Sequence, residues 1–180
     1  MIIDNSQLII DDMSISEIEL LDNLVFKPHG IDLFNVQPEI ESKEYLAHTL
    51  LLNGKKSIFR KAKITPTKIG QFVAIWKRNN EGITAPYSIF DPIEYMIIMT
   101  QKEDLLGVFI FPKSALHQNK ILSDNSKDGK RGIRIYPPWD IPTSKQALKT
   151  QTWQNEFFID FANKKVNSPN ALKLLTQIIH

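Results

Sequence analysis

The chain has 180 residues, 42% of them hydrophobic and 23% charged, with a formal net charge of +2 and no cysteine. That length and balance describe one soluble domain, residues 1–180, able to bury a core without covalent staples. The missing cysteine excludes disulfides, thiolate nucleophiles and cysteine-built zinc or iron–sulfur sites. The opening MIIDNSQLIIDDMS has no basic region, and acids cut its apolar runs, so it does not read as a secretory leader. No run approaches the roughly 18 apolar residues of a membrane span, so a cytoplasmic protein without a membrane partner is expected.

In chain order, Ser14 or Ser16 can cap a helix with Glu17 and Glu19 in its first turn. Ile15, Ile18, Leu21, Leu24 and Val25 supply its apolar stripe, and Lys27-Pro28-His29-Gly30 stops it. Ile31 to Val36 is short and ambiguous. After Pro38 a polar link gathers Glu39, Glu41 and Glu44. Residues 45–52 and 55–65 flank Asn53-Gly54, whose tolerance of positive φ favours a tight hairpin. Proline cannot donate to a sheet ladder, so Thr65-Pro66-Thr67 breaks the second strand. Gly70 to Arg78 reads as a third strand before the Asn79–Gly82 turn. Tyr95 to Thr100 and Gly107 to Phe111 read as buried strands.

Pro112 suits the first turn of a helix running to about Leu122, and residues 123–129 are polar. Gly132 to Tyr136 is a short strand halted by Pro137-Pro138. Ser144 caps a helix expected through about Phe161, with Ala147, Trp153, Phe157, Phe158 and Phe161 available for burial. Ser168-Pro169 precedes a last helix to Ile179, whose apolar face is Leu172, Leu175, Ile178 and Ile179. Hairpin-joined strands with segregated helices indicate an α+β fold, a mixed sheet with helices on both faces.

Charge is unevenly spread. Residues 1–50 hold two lysines against ten acids, and residues 51–90 hold eight basic residues against Glu81 alone. Residues 91–112 are acidic again, and residues 113–149 carry eight basic residues against three acids. Two readings follow. The basic segments can meet as a patch for polyanions, or the N-terminal acids can neutralise them internally.

The stretch SIFRKAKITPTKIGQFVAIWKR carries Arg60, Lys61, Lys63, Lys68, Lys77 and Arg78 without an acid. If residues 55–64 form one regular strand, Phe59, Lys61 and Lys63 share a face and Arg60 lies with Ile58, Ala62 and Ile64. A buried guanidinium there needs an acid or a ligand. Lys68 and Gln71 flank Gly70 and can reach a phosphate. The second cluster, KRGIRIYPPW, places Arg134 and Tyr136 on one strand face. Arg134 offers bidentate phosphate contacts, and Tyr136 or Trp139 offers a ring for a base. Lys145, Lys149 and Trp153 follow at helical spacing, with Trp153 the better candidate for the core and Trp139 for exposure.

Other chemistries have little support. His29, His48, His117 and His180 show no ligand spacing, and neither a phosphate-binding glycine loop nor a nucleophile elbow occurs. No resident cofactor or metal is expected. A Mg²⁺-dependent nuclease would need acids near a lysine; Glu41, Asp91 and Lys63 are the candidates, but Lys61-Ala62-Lys63 lacks the acid of an acid-x-lysine element.

Four ordered blocks, FRKAKITPTKIGQF, GVFIFPKSAL, GKRGIRIYPPWD and KQALKTQTWQNEFF, resemble the MepB-like protein family from about Glu41 to Phe158. The resemblance implies a small bacterial cytoplasmic protein with a single α/β-type domain akin to the restriction-endonuclease core, and brings no catalytic residues. The pair of basic segments with adjacent aromatics makes the expected function binding of a phosphate-bearing ligand, nucleic acid or nucleotide, through Arg60, Lys63, Lys68, Gln71, Lys113, Arg131, Arg134, Tyr136 and Trp139. The alternatives are the divergent nuclease and a non-enzymatic protein-interaction or small-molecule-binding module.

Overall fold

A computed structural model describes residues 17–161 and 169–180. The candidate caps Ser14 and Ser16, Ile15 of the apolar stripe, and Ser168 before the last helix lie outside the described residues. Helix α1 (17–21) passes into a π-helical turn, Asp22–Phe26, and a 3-10 turn, Lys27–His29, which Gly30 ends at φ 70°. Strands β1 (Leu33–Pro38), β2 (His48–Leu52), β3 (Lys55–Lys61), β4 (Lys63–Thr65), β5 (Lys68–Ala74), β6 (Trp76–Arg78) and β7 (Thr84–Pro86) follow. Then come β8 (Tyr95–Lys102), β9 (Leu105–Pro112), α2 (Lys113–Gln118), β10 (Gly132–Ile135), α3 (Lys145–Asn155), β11 (Phe158–Asp160) and α4 (Pro169–Ile179).

The fold is α+β. A six-stranded sheet runs β1-β2-β3-β8-β9-β11, and a smaller sheet runs β10-β5-β4. All neighbours in the large sheet are antiparallel except β3 and β8, which pair in parallel. The β2–β3 hairpin turns at Asn53 and Gly54, both at positive φ, as the sequence requires.

Alternation along the strands divides the core between the two faces of the large sheet. Leu50, Leu52, Phe59, Ile97, Met99, Val108 and Ile110 face one way, under Ile18, Leu21, Val25 and Phe26 and under Leu174, Leu175 and Ile178 of α4. Ile58, Ala62, Met96, Ile98 and Phe111 belong to the other side, which Val73, Ile133 and Ile135 of the small sheet and Leu116 of α2 cover. In α4, Leu172 and Ile179 are exposed and Leu174 takes their place in the core.

Three departures from the sequence reading have tertiary causes. The expected strand over residues 55–65 is broken at the buried Ala62, whose N–H still donates to Met99 of β8 at 3.0 Å before the chain turns into the second sheet. Helix α2 stops at Gln118, not Leu122, because Lys120 at φ 58° and the bond from the Ile121 N–H to Leu116 wrap its end. Helix α3 ends at Asn155 because the next residues find the free edge of β9: Phe158 pairs with Phe109 and Ile159 with Val108. Gly107 leaves room there for the Phe158 ring, which a β-carbon would meet at 2.1 Å.

The seal of one sheet face by α4 sets a stability expectation. Ile178→Ala should lower the unfolding free energy by about 2–5 kcal/mol through lost burial and a residual cavity. Urea denaturation should show a lower midpoint at unchanged slope.

Candidate functional site

The two basic segments meet. β10 pairs antiparallel with β5, setting Arg134 opposite Phe72, and Phe72 stands opposite Lys63 of β4. Opposed residues share a face, so Lys63, Phe72 and Arg134 line the outer side of the small sheet while Val73, Ile133 and Ile135 face the core. The break at Ala62 separates Lys63 from Phe59 and Lys61, contrary to the single-strand register. Its ammonium instead lies over the Tyr45 ring, 5.1 Å from the centroid.

Most cations of the first segment are answered from within the protein. Arg60 is 1% exposed and pairs with Glu39 at 2.5 Å, and its Nη1 donates to the Phe59 carbonyl at 2.8 Å. The Tyr87 hydroxyl donates to the same Glu39 at 3.4 Å. Burial pushes the Tyr87 phenol up to about 12; Arg60 opposes the rise and Glu39 adds to it. Lys61 pairs with Glu17, Arg78 with Glu41, and Lys77 with Asp91. Three N-terminal acids thus neutralise three cations of residues 51–90.

The second segment differs. The end of α2, the loop at residues 120–130, strand β10 and helix α3 enclose a groove of about 750 Å³. Lys120, Lys127, Lys130 and Lys149 line it with Arg134, Tyr136 and Trp153, and among the described residues Asp128 is the one acid on its wall. These four lysines are exposed, and among the described residues none takes a side-chain partner. Asp124 shapes the loop: its Oδ1 accepts from the Ser126 N–H, the Ser126 hydroxyl and the Lys127 N–H at 2.8–2.9 Å. The Ser126 hydroxyl and His117 bonds hold its carboxyl well below the usual range.

Helix α3 presents Gln146, Lys149, Thr150 and Trp153 to the groove at helical spacing. Gln154, 1% exposed, pins that helix to β10. It accepts from the Tyr136 N–H at 2.9 Å and donates to the Arg134 carbonyl at 3.1 Å. Trp153 packs against Phe111 with ring centroids 5.2 Å apart while lining the groove. Arg134 commits Nη1 to Thr65 Oγ1 at 3.0 Å and to the Gly70 carbonyl at 3.1 Å. Its Nε and Nη2, the edge suited to bidentate phosphate contact, have no partner among the described residues.

Of the residues chosen from sequence, this groove brings together Arg134 and Tyr136. A second groove, of about 500 Å³, takes Lys68 and Trp139. Arg60 and Gln71 are buried, and Gln71 donates to the Gln101 carbonyl at 3.3 Å. Lys113 donates to the Asp91 carbonyl at 2.6 Å, and Arg131 pairs with Asp128 at 3.3 Å. Trp139 is half-buried, edge-on to Phe158, with its Nε1 covered. Glu41 and Asp91 each sit in an ion pair, and among the described residues no group of three His, Asp or Glu side chains is placed to hold a metal. Lys120, Lys127 and Gln154 were missed from sequence. The lysines stood isolated in polar text, and a buried glutamine carries no pattern of its own.

A mixed sheet, a small sheet packed on it and a lysine-lined groove at the small sheet's margin are the features of this α+β protein. The MepB-like family model matches residues 39–160. A solved structure described as the crystal structure of MepB is similar at 33% identity and a TM-score of 0.69, covering 71% of this chain and 86% of that one. No curated protein matches the chain. The chain belongs to the MepB-like family. Among the described residues, α1, β1 and α4 lie outside the family match and the groove lies within it. No helix among the described residues is long and apolar enough to cross a membrane.

Two outcomes test the buried cluster. Glu39→Ala strands a buried guanidinium and should cost about 3–5 kcal/mol of stability. An Arg60→Met/Glu39→Ala double variant should lose less than the two single losses summed, measured by chemical denaturation as a double-mutant cycle. The folded Tyr87 phenol, at about 12, holds its proton more tightly than an unfolded one at 10.0. Its contribution is therefore complete below about pH 10 and is lost as pH rises toward 12. Tyr87→Phe should flatten that part of the alkaline stability profile in urea melts.

Proposed function

We propose that the protein is a cytoplasmic binder of a phosphate-bearing ligand, nucleic acid or nucleotide, held in the groove between the α2–β10 loop and α3. The observation that carries this reading is the contrast in charge pairing. Arg60, Lys61, Lys77 and Arg78 have acid partners, whereas Lys120, Lys127, Lys130 and Lys149 line one concavity without any among the described residues. Clustered unpaired cations repel one another, and an anion in the groove relieves that repulsion. Arg134 adds a free guanidinium edge, and Tyr136 and Trp153 add rings. A cavity of this size suits a small or segmental ligand. The nuclease alternative has less support, because its candidate acids Glu41 and Asp91 are engaged by Arg78 and Lys77.

Binding of fluorescent oligonucleotides and nucleotides across a salt series tests the reading. Affinity should fall as salt rises, with a slope of about 0.7–0.9 per phosphate contact. A Lys130→Glu/Lys149→Glu variant should bind at least about tenfold more weakly at low salt and show a shallower slope. Its thermal midpoint should stay near that of the parent protein, since both side chains are exposed and unpaired. No binding at low salt would refute the reading.

A further inference from the structure

We propose that the two grooves form one track for an unpaired nucleic-acid strand, crossing at Arg134, Tyr136 and Gly70. This rests on the phosphate-ligand reading of the first groove and adds the ligand's class and path. The grooves adjoin through Arg134 and Tyr136. Arg134 lines the first, and its Nη1 donates to Thr65 Oγ1 at 3.0 Å, the Ile69 carbonyl at 3.4 Å and the Gly70 carbonyl at 3.1 Å. All three of those residues line the second.

The saddle where the grooves adjoin has Gly70 buried beneath it, at φ 83°. A β-carbon there would come within 2.7 Å of both the Tyr136 ring and the Ile135 carbonyl, so the ring lies directly on the glycine backbone. A strand crossing the saddle meets the Tyr136 ring and the free Nε and Nη2 edge of Arg134 together, one for a base and one for a phosphate.

The linings on either side repeat that combination. The first groove has its four lysines and Trp153. The second has Lys68, without a side-chain partner among the described residues, beside Trp139 and the exposed Ile64, Ile69 and Ile141. Cations along a path with apolar and aromatic surface between them suit a ligand that alternates phosphates with uncovered bases. A duplex keeps its base faces stacked and leaves that surface unused. Free phosphate uses only the cations. The shared chemistry is an unpaired nucleotide, whether free or within a strand, and chain length separates these two sources.

The experiment compares nucleoside triphosphates, single-stranded oligothymidylates of increasing length and a matched duplex against the full chain at low salt. Affinity should rise with length beyond the mononucleotide and level off once both grooves are filled, and the duplex should bind about tenfold more weakly than a single strand of equal length. Lys68→Glu should weaken the long strand about fivefold or more while leaving the mononucleotide unchanged. Lys68 is exposed and unpartnered, so a preserved thermal midpoint shows that the fold is intact. Trp153→Leu, which keeps an apolar contact for Phe111, should weaken both ligands. A mononucleotide binding as tightly as the longest strand, a duplex binding as tightly as the single strand, or a Lys68→Glu variant with parental affinity would overturn the track and leave the groove reading standing. Absence of binding by every ligand would overturn both.

Discussion

The ion pair between Arg60 and Glu39 is the constraint that joins the parts of this molecule. Arg60 lies on the side of β3 that faces the small sheet, in register with Ile58 and Ala62, where an uncompensated guanidinium would be intolerable. Glu39 follows β1, so satisfying Arg60 draws the chain between β1 and β2 across the sheet. Tyr87 completes the arrangement from the segment that leads into β8. Three separate stretches of chain are thereby tied to one buried charge. Such a pair adds little net stability compared with apolar packing, but its absence on one side is severely penalised, so it specifies where the loop must lie.

The division of charge has a topological origin. The N-terminal acids reach the cations of β3 and its neighbours because α1 and the loop after β1 pack against that part of the sheet. Lys61 meets Glu17, Arg60 meets Glu39, and Arg78 meets Glu41. Among the described residues, no comparably acidic stretch reaches the margin formed by α2, β10 and α3. The acids there are spent on local architecture: Asp124 organises its own loop and Asp128 pairs with Arg131. The lysine-lined groove lies among these locally engaged acids, and Gln154 fixes its shape by holding α3 against β10.

Much of the framework was legible in the chain because it depends on local pattern. The Asn53-Gly54 hairpin, the end of the first helical segment at Gly30, the Ser144 cap, whose hydroxyl accepts from the Ala147 N–H at 3.1 Å, and the apolar strands β8 and β9 all follow from short-range preferences. That Arg60 needs an acid or a ligand was legible too, since the alternation of Ile58, Arg60 and Ala62 places it among apolar neighbours; the fold supplies the acid, Glu39. The misread segments are those where a distant edge competes with a local tendency. Residues 156–161 carry an aromatic pattern compatible with helix, yet the open edge of β9 captures them as β11.

The candidate site was half legible for the same reason. Arg134 and Tyr136 could be placed on one face from strand alternation, but the contrast between paired and unpaired cations is a property of neighbours distant in sequence. Composition and period determined an α+β protein with two basic segments and a buried arginine. Only the tertiary structure decided that Arg60, Lys61 and Arg78 of the first segment meet N-terminal acids, while Lys120, Lys127, Lys130 and Lys149 of the second line a groove with no acid partner among the described residues. Ion pairing depends on separations of a few ångströms between side chains many residues apart, and those separations exist only once the sheets and helices have packed.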